Sequence, residues 1–555
     1  MHLKNKFVAR HCCVFLVMVA PAAANININA APVNNNTASV KIHTETDNSA
    51  WVTFAGLHHN ADALINAIAT ADSHGLNIDR YQLRSLEKEL ESYVDNSEQS
   101  RAYNAKPNTQ QRNRLEKSLD QAFTRFSRDL GRGVLDAQDT QRNLHRAAPI
   151  VDTDALLTRL HSGESTVREL LTELTPSTPY YQKLVNHMKV LLEERDSGVR
   201  RTKVRYFDGV TIDTEHPMMV NLRFRLMETG DLDPNSSVST YFDHEVSDAL
   251  KQVQERHGIA ASGELTESTV AALNASVDDD IEQVAMNLER WRWMPRELGE
   301  RHIMVNVPSY NLTMMNGDQR IVDMAVVVGS KRHNTPIFSQ GAQFIEVAPT
   351  WTVPASITNN ELIPKERRRP GYLKGERMDF FRWEGNRLKR VPRSQVTAAD
   401  FQRKPFPYVI RQRAGAGNAL GNIKILMPNR FAVYMHDTQA KKLFDKTDRA
   451  FSHGCIRLSD PFRLGSLLLQ LDGKTEEQTQ KILDKKTTTR VQLNTKTPTH
   501  ITYFTAWVDD EGKLHTRKDV YKHDKKLLSG LYANNTLLSA LKSRPVSELA
   551  EQTEL

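Results

Sequence analysis

The feature that most constrains this chain is a change of hydrophobic period near residue 300. Before it, apolar residues recur at three and four positions, as on one face of a helix; residues 62–68 (DALINAI) and 86–90 (LEKEL) are examples, and 118–130 and 166–192 continue the pattern. Beyond it, Ile303, Val305 and Val307 alternate, the two-residue period of a half-buried strand. Residues 321–329 (IVDMAVVVG) and 431–436 (FAVYMH) read as further strands. Residues 501–508 and 513–518 flank Asp509-Asp510-Glu511-Gly512, a hairpin signal. One helical bundle or one sandwich cannot satisfy both periods, so the expected class is α+β multidomain. The chain has 555 residues, and at roughly 100–200 residues per domain three or four domains are expected.

The helical half divides again. Residues 51–214 read as a helical scaffold with no cluster suggesting catalysis. Residues 215–275 form a smaller unit: an amphipathic stretch at 220–226 ending near Gly230, a second helix from about Glu245 to His257 stopped by Gly258, and a third from Thr266 to Asn274. Residues 276–300 read as a linker helix opened by Asp278-Asp279-Asp280 and closed by Pro295. A mainly β region follows over 301–525. Within it, residues 365–404 hold 13 Lys/Arg and 5 Asp/Glu together with Tyr372, Phe380, Phe381 and Trp383. That run marks an insertion, placed at about 356–405. It is either a solvated basic face or a lid that attracts a polyanionic substrate. Residues 526–555 read as a C-terminal tail.

The N-terminus has the form of an export signal. Lys4, Lys6 and Arg10 precede a short apolar core at 12–20, and Ala22-Ala23-Ala24 offers a small-residue cleavage site. The expectation is a signal peptide over 1–24, a flexible lead-in over 25–50, and a periplasmic protein. Inner-membrane association is expected only if the signal is uncleaved. Removing Lys4, Lys6 and Arg10 lowers the formal net charge from +7 to +4, too mild and dispersed for a nucleic-acid partner. Cleavage also removes Cys12 and Cys13 and leaves Cys455 as the single cysteine. A lone thiol cannot form an internal disulfide, and its retention in an oxidising compartment points to chemistry.

The neighbours of that thiol strengthen the reading. Ser452-His453-Gly454-Cys455-Ile456-Arg457 follows Tyr434-Met435-His436-Asp437, with 15 residues between His436 and Ser452. A free cysteine is only a few per cent thiolate near neutrality, so a nucleophilic one needs a base within hydrogen-bond reach. A histidine at the end of a neighbouring strand supplies one, oriented by a backbone carbonyl near Asp437 or by a carboxylate. The N–H groups of Gly454 and Cys455 are candidate oxyanion donors. Arg457 can pair with a substrate carboxylate.

These residues resemble the L,D-transpeptidases of the YkuD type, whose signature is a histidine followed by S-H-G-C-x-R. More narrowly the chain resembles the large periplasmic, YcbB-like branch, through Asn287 to Trp293, Val305-Asn306-Val307-Pro308, Val326 to Gly329, Thr335-Pro336, Trp351-Thr352-Val353-Pro354, Asn418-Ala419-Leu420-Gly421, Pro428-Asn429 and Arg449 to Arg457. The 215–275 unit resembles a three-helix peptidoglycan-binding domain. Two stretches depart from the branch: Ala348-Pro349-Thr350-Trp351, where an Asn-Pro-aromatic-Trp run is usual, and residues 413–417 (RAGAG), which lack the usual proline.

The resemblance implies a mainly β catalytic domain with a capping insertion. Cys455 is then the nucleophile and His436 the base, with Gly454 and Asp437 in the catalytic set. Arg457, Tyr434, Ser452, His453, Trp351 and Asn418 are implied substrate contacts. The implied partners are peptidoglycan tetrapeptide stems as donor and acceptor, together with other wall synthases. The implied reaction passes through a thioester, releases D-Ala and forms a 3–3 cross-link. No cofactor or metal is called for, and carbapenems are expected to acylate the same thiol. Three other readings use the same residues differently: an L,D-carboxypeptidase or other cysteine peptidoglycan hydrolase with water as acceptor, a zinc peptidase built on His436, His453 and Cys455, and a non-catalytic wall-binding scaffold.

Overall fold

The computed structural model describes residues 49–53, 56–102, 108–141, 143–534 and 536–543. The expected signal peptide and nearly all of the expected lead-in lie outside the described residues. The described part forms one compact unit, and within it no helix is long and apolar enough to cross a membrane.

The first layer is helical. Helices His59–Ala69, Leu83–Ala102, Thr109–Arg132, Thr153–His161 and Val167–Leu174 enclose a core that includes Trp51, Leu64, Ile68, Tyr81, Phe123 and Phe126. Local chemistry fixes their starts: Asn108 accepts from the backbone of Gln110, and Thr166 forms a capping box with Glu169. The next helix, Pro179–Ser197, departs from the scaffold expectation. Its Tyr181, Leu184, Met188 and Leu191 belong to the core of the catalytic region instead.

The three expected helices of the 215–275 unit appear as Met218–Glu228, His244–Arg256 and Glu267–Leu273, around Leu222, Leu226, Val246, Leu250, Val253 and Leu273. The linker helix is Val277–Arg292, opened by a capping box of Ser276 and Asp279. It is more than a linker. Glu289 and Arg292 are each 1% exposed and paired at 2.9 Å, and Glu289 also accepts the Leu135 N–H at 2.8 Å. Arg292 in turn donates to the His74 carbonyl and to the Tyr181 hydroxyl. The helix thereby pins the scaffold to the catalytic region.

Nine strands make the catalytic sheet: β1 (Arg301–Asn306), β2 (Asn311–Asn316), β3 (Gln319–Gly329), β4 (Ser339–Val347), β5 (Ile423–Leu426), β6 (Met435–His436), β7 (Ala450–Ser452), β8 (Ile456–Leu458) and β9 (Thr489–Thr502). Their order is β7-β3-β8-β6-β5-β4-β9-β1-β2, and β2 also pairs with β3, so the sheet closes on itself. Two expectations change here. β1 was expected to be half-buried, but His302 through Val305 are all buried, because helix and sheet cover both faces. The strand expected over 431–436 shrinks to Met435–His436, because Ala432 turns into the left-handed region at φ 55°.

Two segments are larger than the sequence suggests. The insertion has its own four-stranded sheet, in the order Arg387–Val391, Met378–Glu384, Val409–Gln412, Trp351–Thr352, and its own core of Val353, Ile357, Leu362, Leu373, Phe380, Phe406 and Ile410. It therefore spans about 351–412. Part of its basic run is paired locally: Arg390 shares Asp379 with Arg413 just beyond the insertion, Arg393 pairs with Glu366, and Arg367 donates to the Phe401 carbonyl. The expected tail, as far as it is described, forms part of helix Asp524–Ala533 and all of helix Leu537–Ser543. Leu527, Leu531, Leu537 and Leu538 enter the catalytic core.

Candidate active site

β6 carries His436 between β5 and β8. It pairs antiparallel with β5 (Lys424 opposite His436) and parallel with β8 (His436 opposite Arg457). Directly opposed residues point to the same face of a sheet, so Lys424, His436 and Arg457 form one row. Cys455 sits at the mouth of β8, two residues before Arg457 and so on the same side as the row. The alternation of a strand thus does the positioning that the spacing of the two motifs implied.

The cysteine turn is tightly held. Gly454 has φ 111°, a conformation that favours glycine. The Ser452 hydroxyl donates to the Cys455 carbonyl at 2.5 Å and accepts the Gly454 N–H at 3.0 Å. The Thr335 hydroxyl donates to the Gly454 carbonyl at 2.9 Å and accepts the Gly329 N–H at 2.8 Å. Tyr521 ties the same loop by accepting the Thr335 N–H and donating to the Gly329 carbonyl. A Cβ at Gly329 would lie 2.1 Å from the His333 carbonyl oxygen, so the loop beneath the cysteine requires glycine.

His436 is 5% exposed. Its Nδ1 lies 2.5 Å from the Asp437 carbonyl oxygen. A carbonyl can only accept, so Nδ1 carries the hydrogen and Nε2 keeps its lone pair. Burial, helped by the Arg457 charge, pushes its pKa down to about 3, so the ring is neutral and able to act as a base. The Cys455 thiol is part-exposed and donates to the Ala432 carbonyl at 3.7 Å. Among the described residues no hydrogen bond joins it to His436, so the thiol must leave Ala432 before its proton passes to the ring. Enclosure by protein raises the thiol's pKa, while hydrogen bonding from Tyr434 and the charges of Lys424 and Arg457 act to lower it.

Several sequence assignments need correction. Of the two acceptors left open for the ring, the backbone carbonyl of Asp437 holds it, while the Asp437 carboxylate accepts from the backbone of Asn422 and Thr438 and from Lys441. The Gly454 N–H is taken by Ser452, which leaves the Cys455 N–H as the candidate oxyanion donor. Asn418 is 1% exposed. Its amide donates to the Pro349 and Arg413 carbonyls and its oxygen accepts the Leu420 N–H, so it shapes a loop and is buried away from substrate. Ser452 is likewise spent on the cysteine turn.

The other assigned residues do gather at the site. Tyr434 packs edge-on against His436, with ring centroids 5.5 Å apart. Trp351 lies on the insertion edge, on the strand paired with Val409–Gln412. Arg457 makes no ion pair or hydrogen bond among the described residues, although burial lowers its pKa. His453 is exposed, and its Nε2 lies 2.5 Å from Glu361 of the insertion. Sequence reading missed Thr335, Glu361, Tyr521 and Lys424. Thr335 was visible only as part of a resembling segment, and Lys424 only as a single cation between the apolar Ile423 and Ile425.

Comparison with known proteins agrees with this layout. Residues 300–484 match the family of the L,D-transpeptidase catalytic domain, YkuD. Residues 44–188 match a family described as "Scaffold domain", and residues 215–273 one described as "Putative peptidoglycan binding domain". A Haemophilus influenzae protein named "Putative L,D-transpeptidase" is 32% identical over 246 residues, which is 44% of this chain and 49% of that protein. The chain thus spans about half the length of that curated relative. Two solved structures overlap weakly. An L,D-transpeptidase from Mycobacterium smegmatis is 13% identical at a TM-score of 0.17, covering 37% of this chain and 58% of its own. One from Stackebrandtia nassauensis is 12% identical at 0.20, covering 53% and 97%. The part of the chain that carries Cys455 and His436 is an L,D-transpeptidase catalytic domain of the YkuD family, joined to a scaffold domain and a peptidoglycan-binding domain.

Proposed function

We propose that this protein forms 3–3 cross-links in peptidoglycan, as a periplasmic enzyme of the YcbB-like branch. The observation that carries the reading is the neutral His436 beside a part-exposed Cys455, with an unpaired Arg457 next to them in one row. His436 Nε2 takes the thiol proton, and the sulfur attacks the carbonyl between meso-diaminopimelate and the terminal D-Ala of a tetrapeptide donor. The S–C bond forms, the C–N bond breaks, and the proton held by His436 passes to the departing D-Ala amine. The side-chain amine of a second stem's diaminopimelate then attacks the thioester, loses a proton to His436 and returns the thiolate, which is reprotonated. Splitting one acyl transfer into two steps is covalent catalysis.

Arg457 would hold a donor carboxylate as a charge-assisted pair. The insertion, touching the motif through Glu361 and His453, would cap the donor, and the same thiol would take a carbapenem acyl group. Incubation of the purified protein with tetrapeptide muropeptides checks the reaction. Dimers with released D-Ala are expected. Tripeptide products without dimers would make water the acceptor and the protein an L,D-carboxypeptidase.

A further inference from the structure

Lys424 has no role in the reaction described above, and its surroundings call for one. It is half-buried on β5, and among the described residues it makes no ion pair and no hydrogen bond. The carboxylate opposite it on β4 is Glu346, but that group is occupied by Arg490, which donates to Oε2 at 3.0 and 2.8 Å. The Lys424 ammonium instead lies 4.0 Å from the centroid of the Tyr434 ring. A cation seated on an aromatic face is held there by the ring's quadrupole. That ring in turn packs against His436, with centroids 5.5 Å apart, and Tyr434 is among the groups that act to lower the Cys455 pKa. The ammonium therefore sits on the ring beside the base, in the row that holds His436 and Arg457.

From this placement we infer that Lys424 is a positioning residue that stabilises the Cys455 thiolate, through its charge and through the Tyr434 ring on which it sits. The site needs such help because it is enclosed. A thiol in low-dielectric surroundings resists ionisation, and the neutral His436 contributes no charge before it accepts the proton. The charged and titratable groups facing the sulfur are Lys424 from β5, Tyr434 and His436 from the β6 segment, and Arg457 from β8. Glu346 and Arg490 lie further along the same row, and His453 and Glu361 pair with each other at the insertion. Two cations flank the row's imidazole from either side: Lys424 and Arg457 lie two strands apart, about 10 Å between Cα atoms. Burial depresses the Lys424 pKa, and the Glu346 charge and then the Cys455 charge restore part of it. The coupling between the two groups is reciprocal, because each also appears in the other's balance.

The inference rests on the acyl-transfer reading only in taking Cys455 as the nucleophile. Iodoacetamide alkylation of the full chain tests it without any stem peptide, because only the thiolate reacts. The rate is followed against pH for the wild type, Lys424→Gln, Lys424→Met and Lys424→Arg. Removing the cation is expected to move the alkylation midpoint up by about 1 pH unit, and Lys424→Arg is expected to keep it near the wild-type value. Melting curves of all four proteins identify any variant that fails to fold. If Met fails, the Gln and Arg pair decides. An unchanged midpoint in a folded Gln or Met variant overturns the inference. So does a raised KM for tetrapeptide stems with an unchanged midpoint, which would make Lys424 a binder of a substrate carboxylate. A moved midpoint in a protein that transfers no stems would sink the cross-linking reading and leave this one standing.

Discussion

Replacing His436 with alanine is expected to slow acylation of Cys455 by about 10²–10⁴-fold, the usual contribution of a positioned general base. The reason lies in the ring's tautomer. Its Nδ1 hydrogen is committed to the Asp437 carbonyl at 2.5 Å, so Nε2 is left as a lone-pair base. His453 is exposed and engaged with Glu361, so His453→Ala should retain most of the acylation rate. Single-turnover acylation of the two variants separates the roles, and equal loss from both would remove the assignment.

The same burial sets the pH dependence. With the pKa of His436 pushed down to about 3, the base stays neutral from pH 7 to pH 5. The acid limb of kcat/KM should therefore lie below pH 5. A limb near 6.5, the ordinary histidine value, would contradict the buried, neutral ring.

Replacing Glu289 with alanine should cost about 3–5 kcal/mol, the usual result of stranding one partner of a buried ion pair. Glu289 and Arg292 are both 1% exposed and 2.9 Å apart. The carboxylate also holds the Leu135 N–H, and a Cβ at Gly133 would lie 2.5 Å from its Oε1. Removal leaves a guanidinium in the interior with only the His74 carbonyl and the Tyr181 hydroxyl for company. Denaturant unfolding measures the loss. A double variant, Glu289→Leu with Arg292→Met, should recover most of it, because the penalty belongs to the unpaired charge rather than to lost packing. Full stability in Glu289→Ala would show that the pair does not fasten the scaffold to the catalytic region.

The period change near residue 300 disclosed the two structural regimes because hydrophobic spacing is a local property. The short helices of the 215–275 unit were legible for the same reason: Thr266 and Gly258 mark their ends in the sequence itself. Closure of the sheet was not legible: β1, β2 and β3 follow one another through short turns, but the ring also needs β3 against β8 and β1 against β9, strands far apart in the chain. The packing of the last segment was hidden too, because a few leucines in a polar helix do not announce which core they enter.

At the site, Cys455, His436 and Arg457 could be read from chemistry and spacing. Asn418 could not be judged, since a buried amide bonded to Pro349, Arg413 and Leu420 looks the same in sequence as one that binds substrate. Lys424 went unread for the opposite reason. Its meaning comes from the strand register that places it beside Tyr434 and His436, and register is a tertiary fact.

The measurement that bears most directly on the central claim is the intact mass of the protein after mixing with a tetrapeptide-stem donor and no acceptor. The prediction is one added tripeptide-stem acyl group, mapped to Cys455, with D-Ala released in equal amount, and no adduct on Cys455→Ala. An adduct of the same mass on the folded Cys455→Ala protein, or D-Ala release by that variant at the wild-type rate, would contradict it.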